Sequence, residues 1–187
     1  ALARAFAMKP RAVILDEAFS ALDASMKVKV ARLLLAKKDE LGASYLFITH
    51  DLPFVHYMAD RIMVMYRGSI CQVGPRASVI EPPFHPYTET LVWSALSLEG
   101  VNPAQLDLAR AASAGRDAAE PSVGCRFQDR CPRKLGAICE REEPPMRTIA
   151  TDHWIACHRS VDELRELQRR EWQDARAQHG EGQNAIA

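Results

Sequence analysis

The chain has 187 residues, of which 48% are apolar and 26% are charged. This balance is typical of a soluble globular protein and excludes a wholly disordered chain. Lys plus Arg and Asp plus Glu number 24 each. The formal net charge is therefore zero, and the strongly basic footprint of a nucleic-acid-binding protein is absent at the level of the whole chain.

No apolar run approaches the roughly 18 residues of a membrane-spanning helix, and the chain lacks the pattern of a secretory signal. It begins at Ala1 without an initiator methionine. We therefore expect it to be processed or cut from a longer product, and we expect a reducing cytosolic environment for its cysteines.

Residues 1–97 predict the alternation of helices and strands of an α/β protein. The apolar runs 12–15 and 45–48 are typical of strands buried on both faces, as in a parallel sheet. Gly42 stands where a helix-ending glycine belongs. The predicted elements are helix 1–7, strand 12–15, helix 24–41 with an apolar face of Met26, Val30, Leu33, Leu34 and Leu41, strand 45–48, a short helix through 54–58, strands 61–66 and 69–73 joined as a hairpin, and helix 87–96.

The composition changes after residue 97. Residues 98–122 predict a linker with one weak helix near 104–112, and residues 123–160 form a small cysteine-rich extension with little regular periodicity. Residues 161–187 predict a charged helix to about 178 and a frayed end. A segment as short as the extension needs a staple to be stable.

Two acids follow the first predicted strand. Asp16 and Glu17 stand at its carboxyl end, which is the edge where ligands bind in open α/β sheets. A carboxylate there can hold the Mg²⁺ of a nucleotide, and its neighbour can orient an attacking water. Taken alone, such a pair more often caps the next helix or faces solvent, because short motifs match by chance.

The next strand ends in Thr49-His50-Asp51. Adjacent parallel strands would bring Asp16, Glu17 and His50 close together. A histidine in that place can donate a hydrogen bond to a transferring phosphate.

In this order and spacing, the motifs resemble those of the ATP-binding subunits of ABC transporters. Residues 12–17 resemble the Walker B strand, 20–23 (Ser-Ala-Leu-Asp) the D-loop and 48–51 the H-loop, and 1–5 resemble the helix that follows the signature motif. The resemblance implies a P-loop NTPase-like fold in which residues 1–97 form the C-terminal part of an ABC nucleotide-binding domain, a parallel sheet with flanking helices.

The resemblance also implies a role for each matching residue. Asp16 would help to hold Mg²⁺, Glu17 would act as general base or water-orienting residue, and His50 would contact the γ-phosphate of ATP. Ser20 and Asp23 would lie in the loop that communicates across a dimer of two ATPase subunits. One departure follows the acids, since Ala18-Phe19 stands where the family usually has Pro-Thr.

Parts of the family pattern are absent from the sequence. It contains no G-x-x-x-x-G-K-[ST] motif to cradle nucleotide phosphates, and no signature motif or glutamine loop. We therefore expect this chain alone neither to bind ATP tightly nor to hydrolyse it. It is interpreted as the C-terminal portion of an ATPase subunit, either truncated or completed by a companion segment.

Four cysteines follow the spacing C-x₅-C-x₇-C-x₁₇-C. Four thiolates can hold zinc or an iron–sulfur cluster, while two disulfides or free thiols remain the alternative. The four are Cys125, Cys131, Cys139 and Cys157. Cys71 stands apart and is interpreted as a packed apolar residue.

The motifs around these cysteines resemble the C-terminal extension of the oligopeptide, dipeptide and nickel importers. They are Cys131-Pro132, Pro144-Pro145 and Cys157-His158, preceded by His85-Pro86-Tyr87. The resemblance implies a [4Fe-4S] cluster on the four cysteines, with zinc as the alternative metal.

The resemblance as a whole implies the ATP-hydrolysing subunit of an importer for peptides or related small solutes. Its partners would be separate membrane subunits, a second ATPase subunit and, indirectly, an external substrate-binding protein, with no nucleic acid. It would lie in the cytoplasm on the inner face of the membrane. Two alternatives stay open: a free-standing iron–sulfur or zinc module with an inactive ATPase remnant, and a non-functional fragment.

Overall fold

The computed structural model describes residues 2–97 and 123–179. The predicted linker 98–122, its weak helix and the tail 180–187 lie outside the described residues. The chain divides into two compact units, Ala1–Ala59 and Asp60–Ala187.

The first unit is a parallel strand pair with helices. Its strands β1 and β2 run in register from Ala12 opposite Ser44 to Asp16 opposite Ile48. The sequence pattern thus predicts the parallel pairing correctly. The elements in chain order are α1 (Leu2–Ala7), β1 (Ala12–Asp16), α2 (Ala24–Leu41), β2 (Ser44–Ile48) and α3 (Leu52–Met58).

Helix α2 has the predicted bounds because both of its ends are encoded locally. Asp23 caps the amino end, where its carboxylate accepts hydrogen bonds from the N–H groups of Ser25 and Met26. Gly42 ends the helix in the left-handed conformation at φ 60°, which glycine adopts without steric cost.

Only one face of the strand pair is covered within the described residues. Val13 and Leu15 are buried, whereas Ile14 is 67% exposed and Leu46 is 56% exposed. The prediction that these strands are buried on both faces is therefore wrong for the described chain. The inner face packs into a core of Val13, Leu15, Phe19, Ala31, Leu34, Phe54 and Met58.

The predicted apolar face of α2 is only partly correct. Leu34 is fully buried together with Ala31, but Met26 and Leu33 are exposed. The buried stripe is narrower than the apolar pattern because α2 packs on a single two-stranded sheet.

The second unit is built on a four-stranded antiparallel sheet in the order β3-β4-β6-β5. The predicted hairpin is its first half, with Arg67 and Gly68 both at positive φ in the turn. The elements are β3 (Arg61–Tyr66), β4 (Ser69–Pro75), α4 (Arg76–Val79), α5 (Pro86–Ser97), a 3₁₀ turn (Gln128–Arg130), α6 (Ala137–Arg141), β5 (Met146–Ala150), β6 (His153–Ala156) and α7 (Val161–His179).

The cysteine-rich segment contains two strands that its sequence pattern does not predict. Strand β6 pairs with β4, where Gln72 lies opposite Ile155. The segment is thus joined to the hairpin by main-chain pairing. None of the helices within the described residues combines the length and the apolar character needed to cross a membrane.

Candidate functional site

The carboxyl ends of the two parallel strands lie side by side at one edge of the first unit. Asp16 is paired with Ile48, and the N–H of Glu17 donates to the Ile48 carbonyl at 2.8 Å. The pairing therefore continues one residue beyond β1. Polar residues that follow the two strands emerge at this common edge.

The side chains of Glu17 and His50 are in direct contact at this edge. His50 Nδ1 lies 2.9 Å from Glu17 Oε1, and the two side chains are 82% and 43% exposed. A carboxylate only accepts hydrogen bonds, so Nδ1 carries the hydrogen. In the neutral ring Nε2 is then an acceptor, and only the protonated ring can donate from Nε2 as well.

Asp16 lies on a different side of the strand end. It is exposed and shares the uncovered face of β1 with Ile14, because side chains alternate along a strand. The structure therefore brings Glu17 and His50 together, while Asp16 projects from the neighbouring outer face.

Ser20 and Asp23, the two predicted residues of the following loop, are engaged in local hydrogen bonds. Ser20 Oγ donates to the Glu17 carbonyl at 2.9 Å. Asp23 Oδ1 accepts from the Ser25 hydroxyl at 2.7 Å and from the Met26 N–H at 3.1 Å. These bonds, chiefly that from Ser25, lower the pKa of Asp23.

A lysine that the sequence pattern did not single out contributes to the same edge. Lys27 Nζ, one turn into α2, forms an ion pair with Asp51, which directly follows His50. Asp51 also caps α3 by accepting from the N–H of Phe54 at 3.0 Å. Burial raises the pKa of Asp51, but the hydrogen bonds from Lys27 and Phe54 outweigh it and the net pKa is lowered.

The acid, the histidine and the lysine line one small cavity of about 40 Å³. A cavity needs about 10–15 Å³ of such space to hold one water molecule, so this one has room for water. The lining residues are Glu17, Phe19, Ser20, Lys27, Thr49, His50, Asp51 and Phe54.

The second candidate site is formed by the four clustered cysteines. The N–H of Cys125 donates to the carbonyl of Cys139 at 2.8 Å, which ties the first and third cysteines together through the main chain. Gly124 makes this approach possible. Its φ is +82°, and a Cβ built on it would lie 2.5 Å from the Cys139 carbonyl oxygen.

The thiols are partly withdrawn from water and close enough to influence one another. Burial raises the pKa of Cys131 to about 12, with further rises from Cys157, Cys125 and Cys139. Burial likewise raises the pKa of Cys157 to about 11, again with contributions from Cys125 and Cys139. The fifth thiol, Cys71, is buried, and its pKa is raised to about 12, mainly by burial and further by Cys125 and Cys157.

All five cysteines are free thiols. Across residues 2–97 and 123–179, no group of three or more His, Cys, Asp or Glu side chains is arranged to hold a single metal ion. A zinc ion with sulfur at 2.3 Å would require sulfur atoms about 3.8 Å apart. In the described residues the four cysteines are therefore neighbouring free thiols and do not form a preformed site for a single metal ion.

A buried ion cluster holds the cysteine segment against two helices. Arg133 donates to both carboxylate oxygens of Glu89 on α5, at 2.8 and 3.3 Å, and to Glu171 on α7. Gln168 Nε2 donates to Glu89 at 3.1 Å. Arg159 Nε donates to the main-chain carbonyl of Arg133 at 2.7 Å. The loop after Cys131 is thus fixed by both its side chain and its main chain.

Comparison with known proteins places these features in a family context. Residues 73–139 match the family model described as oligopeptide/dipeptide transporter, C-terminal region. The chain is 39% identical over 162 residues to a protein of Brucella abortus named as a peptide import ATP-binding protein, a match that covers 84% of this chain and 45% of that protein. It is 33% identical over 157 residues to the oligopeptide transport ATP-binding protein AppF of Bacillus subtilis, covering 84% and 47%.

The predicted resemblance to the ATP-binding subunits of peptide-type ABC transporters is thereby confirmed. The chain spans about half the length of the curated relatives it matches, 45% of the Brucella abortus protein and 47% of AppF.

Proposed function

We propose that this chain, a relative of peptide import ATP-binding proteins, forms part of the ATP-hydrolysing subunit of an ABC importer for peptides or related small solutes. The observation that carries the proposal is the Glu17–His50 contact of 2.9 Å at the carboxyl ends of two parallel strands. This is the edge at which open α/β sheets bind ligands.

In the proposed reaction Glu17 accepts the proton of the attacking water or orients it, and His50 contacts the terminal phosphate. Phosphoryl transfer depends almost entirely on positioning and charge stabilisation. With Nδ1–H held by Glu17, the ring is fixed in orientation while its other nitrogen stays available. Donation from that nitrogen to a phosphate oxygen requires the imidazolium form.

Asp16 is the proposed ligand for the Mg²⁺ that accompanies ATP. An exposed carboxylate at a strand end suits this cation, which is usually held by one or two carboxylates together with substrate phosphates and water. Ser20 and Asp23 are proposed to form the loop that meets a second ATPase subunit. Asp23 would serve there while its carboxylate also caps α2.

The proposed partners follow from the same assignment. They are separate membrane subunits, a second ATPase subunit and, indirectly, an external substrate-binding protein, with this subunit on the inner face of the membrane. Because the sequence contains no phosphate-cradling lysine motif, we propose that ATP hydrolysis needs a further segment that supplies it.

A chimera tests the catalytic proposal. This chain replaces the matching region of the Brucella abortus relative, and ATP hydrolysis by the purified chimera is measured. We expect activity that Glu17→Gln lowers by about 10²–10⁴-fold, as for loss of a general base, and that His50→Ala also lowers. The matched control is Glu40→Gln, an exposed residue of α2, which should leave the rate unchanged. Undiminished hydrolysis by both site variants would contradict the proposal.

We also propose that Cys125, Cys131, Cys139 and Cys157 hold a [4Fe-4S] cluster. The support is the donor set of four neighbouring, partly buried thiols. When bound, the cluster would cross-link the segment and could store one electron. Because burial raises the pKa of Cys125, Cys131 and Cys157, loading must release protons from these thiols, so the affinity rises with pH.

Anaerobic reconstitution of the purified chain with ferrous iron and sulfide tests this assignment. We expect iron and sulfide in equal amounts, lost on Cys125→Ser and retained on Cys71→Ala, which serves as the matched control. Stoichiometric zinc in place of iron, or no bound metal, would overturn the cluster and leave the ATPase proposal untouched.

A further inference from the structure

Two arginines each stand two residues after a cysteine of the second candidate site. Arg133 follows Cys131, and Arg159 follows Cys157. Arg159 Nε donates a hydrogen bond to the main-chain carbonyl of Arg133 at 2.7 Å, across 26 residues of sequence. One side-chain bond therefore joins two distant segments, each of which carries a thiol.

Each of these two thiols is also tied to the arginine that follows it. The Cys131 sulfur accepts a hydrogen bond from the N–H of Arg133, and the Cys157 sulfur accepts one from the N–H of Arg159. Burial raises the pKa of Cys131, and among the other thiols Cys157 adds most to that rise. A shift of either arginine would therefore move its thiol relative to the other.

The Arg133 end of the link is fixed by a buried ion cluster. The guanidinium donates to both carboxylate oxygens of Glu89, at 2.8 and 3.3 Å, and to Glu171. The side chains of Arg133 and Glu89 are 12% and 2% exposed. Because its side chain is anchored, the Arg133 carbonyl is a firmly placed acceptor.

The Arg159 end lies between two ordered elements. Strand β6 ends at Ala156, and helix α7 begins after Ser160 with a reciprocal cap. The N–H of Ser160 donates to Glu163 Oε2 at 2.7 Å, and the N–H of Glu163 donates to Ser160 Oγ at 3.2 Å. The backbone of Arg159 is therefore held on both sides, and its side chain is only 22% exposed.

The other two cysteines are joined without either arginine. The N–H of Cys125 donates to the Cys139 carbonyl at 2.8 Å, and the Cys139 sulfur accepts from the N–H of Leu135 at 3.4 Å. The four thiols are thus connected by two separate links, one for each pair. A change at Arg159 can therefore be compared between the pairs.

We propose that Arg159 is a positioning residue of the four-cysteine site, whose Nε bond to the Arg133 carbonyl holds the thiols of Cys131 and Cys157 beside each other. The placement of these thiols is a property of the chain without any metal. The consequence for a [4Fe-4S] cluster rests on the proposed function.

Two substitutions of Arg159 separate the hydrogen bond from the charge. In Arg159→Gln the side-chain nitrogen stands as many bonds from Cα as the arginine Nε and can donate to the same carbonyl. Arg159→Met has a similar length but no donor. Both remove the guanidinium charge beside Cys157, so the two variants are compared with each other.

Dibromobimane, which becomes fluorescent once it has joined two thiols, measures the placement in the reduced, metal-free chain. Cys131 and Cys157 are left as the thiols by Cys71→Ala, Cys125→Ser and Cys139→Ser. Cross-linking should then be at least about tenfold slower in Arg159→Met than in Arg159→Gln, because an intramolecular reaction depends steeply on placement. Equal rates in the two variants would overturn the inference.

The matched control keeps the other pair of thiols. Cys125 and Cys139 are left by Cys71→Ala, Cys131→Ser and Cys157→Ser. Since this pair is joined through the main chain, Arg159→Met and Arg159→Gln should cross-link it at the same rate. A slowing by Arg159→Met as large as in the first pair would show a general loosening of the segment and would also overturn the inference.

Cluster retention distinguishes this inference from the proposed function. After reconstitution of the chain with all five cysteines, Arg159→Met should lose iron to a chelator about 10–100-fold faster than Arg159→Gln, as for loss of a group that supports a metal ligand. Equal rates would overturn the role of Arg159 toward a cluster. If the cross-linking responds as expected but the wild-type chain takes up no iron, the proposed cluster fails and the positioning of the thiols stands.

Discussion

Gly124 is the residue at which the cysteine site is most sensitive to a single added methyl group. Its φ is +82°, and a Cβ would meet main-chain atoms of Cys139 and Glu140 at 2.5–2.6 Å. We expect Gly124→Ala to lower the free energy of unfolding by more than the roughly 1 kcal/mol of a left-handed alanine, because backbone atoms cannot move aside cheaply. Urea unfolding of the purified chain measures the change.

The control for Gly124 is Gly68→Ala. Gly68 has a similar φ of +78°, but nothing lies within 4 Å of its built Cβ. The difference between the two variants isolates the close approach from the conformational strain. Equal destabilisation would show that the contact between residues 124 and 139 carries no weight.

His85 makes the stability of the second unit depend on pH. Complete burial lowers the pKa of His85 to about 3, although a hydrogen bond to the Ala156 carbonyl opposes the shift. The unfolded chain takes up this proton near pH 6.5, and the folded chain does not. The free energy of unfolding should therefore fall as the pH drops from about 6.5 toward 3, with a slope approaching about 1.4 kcal/mol per pH unit from this residue.

Urea unfolding at several pH values between 4 and 7 checks the role of His85. His85→Asn removes the titrating group and should flatten the slope. Phe84→Leu destabilises the same buried region without removing a titrating group, and it should retain the slope. A His85→Asn variant as steep as the wild type would contradict the assignment.

At the scale of elements, the buried pair of Glu89 and Arg133 joins α5 to the cysteine segment. The two side chains are 2% and 12% exposed. Glu89→Gln leaves Arg133 buried with only Glu171 as a carboxylate partner, so we expect a loss of about 3 kcal/mol of unfolding free energy. Chemical denaturation measures it.

Two further variants make the test of this pair specific. Glu40→Gln breaks the exposed pair with Lys37 and should change stability by no more than about 0.5 kcal/mol. The double variant Glu89→Gln with Arg133→Met removes both buried charges and should be more stable than Glu89→Gln alone. If the double variant is the less stable of the two, the destabilisation does not come from an unpaired arginine.

The elements that the sequence predicts well are those whose signals are local. Helix α2 carries its cap at Asp23 and its terminator at Gly42, and the hairpin carries its turn at Gly68. Strand β6 has only four residues and pairs with β4, more than eighty residues away. Short strands held by distant partners leave no periodic signal, which is why the cysteine segment reads as irregular in the sequence.

The candidate site likewise contains some features that the sequence predicts and others that it does not. The order of the motifs is enough to predict that Glu17 and His50 lie near one another, because parallel strands end at one edge. The ion pair between Lys27 and Asp51 depends on how α2 packs beside the following strand. The left-handed φ of Glu17, +45°, is a property of the folded loop between β1 and α2. Neither is encoded in the local pattern.

For the molecule as a whole, zero net charge at pH 7 coincides with an uncovered apolar strip. Ile14, Leu46 and Ile48 are 67%, 56% and 48% exposed on one face of the strand pair. Proteins without net charge repel one another weakly, and contiguous apolar surface promotes association. We expect the isolated chain to self-associate near pH 7, and less at pH 9, where it gains negative charge.

Sedimentation velocity over a range of concentrations measures this association. The double variant Ile14→Thr with Leu46→Thr should sediment more nearly as a monomer. Leu33→Thr, which removes an exposed leucine of α2, is the matched control and should behave as the wild type. Equal effects of the two variants would show that the strip has no special part in association.

The bond from the Cys125 amide to the Cys139 carbonyl contains no sulfur, and the ion cluster around Arg133 contains none either. Replacing the thiols by hydroxyls should consequently spare the loop that presents them. A chain with serine at all four positions would then serve as a control with an unchanged loop structure. Any colour, magnetism or electron uptake that the native protein shows and this control lacks can be attributed to the sulfur atoms.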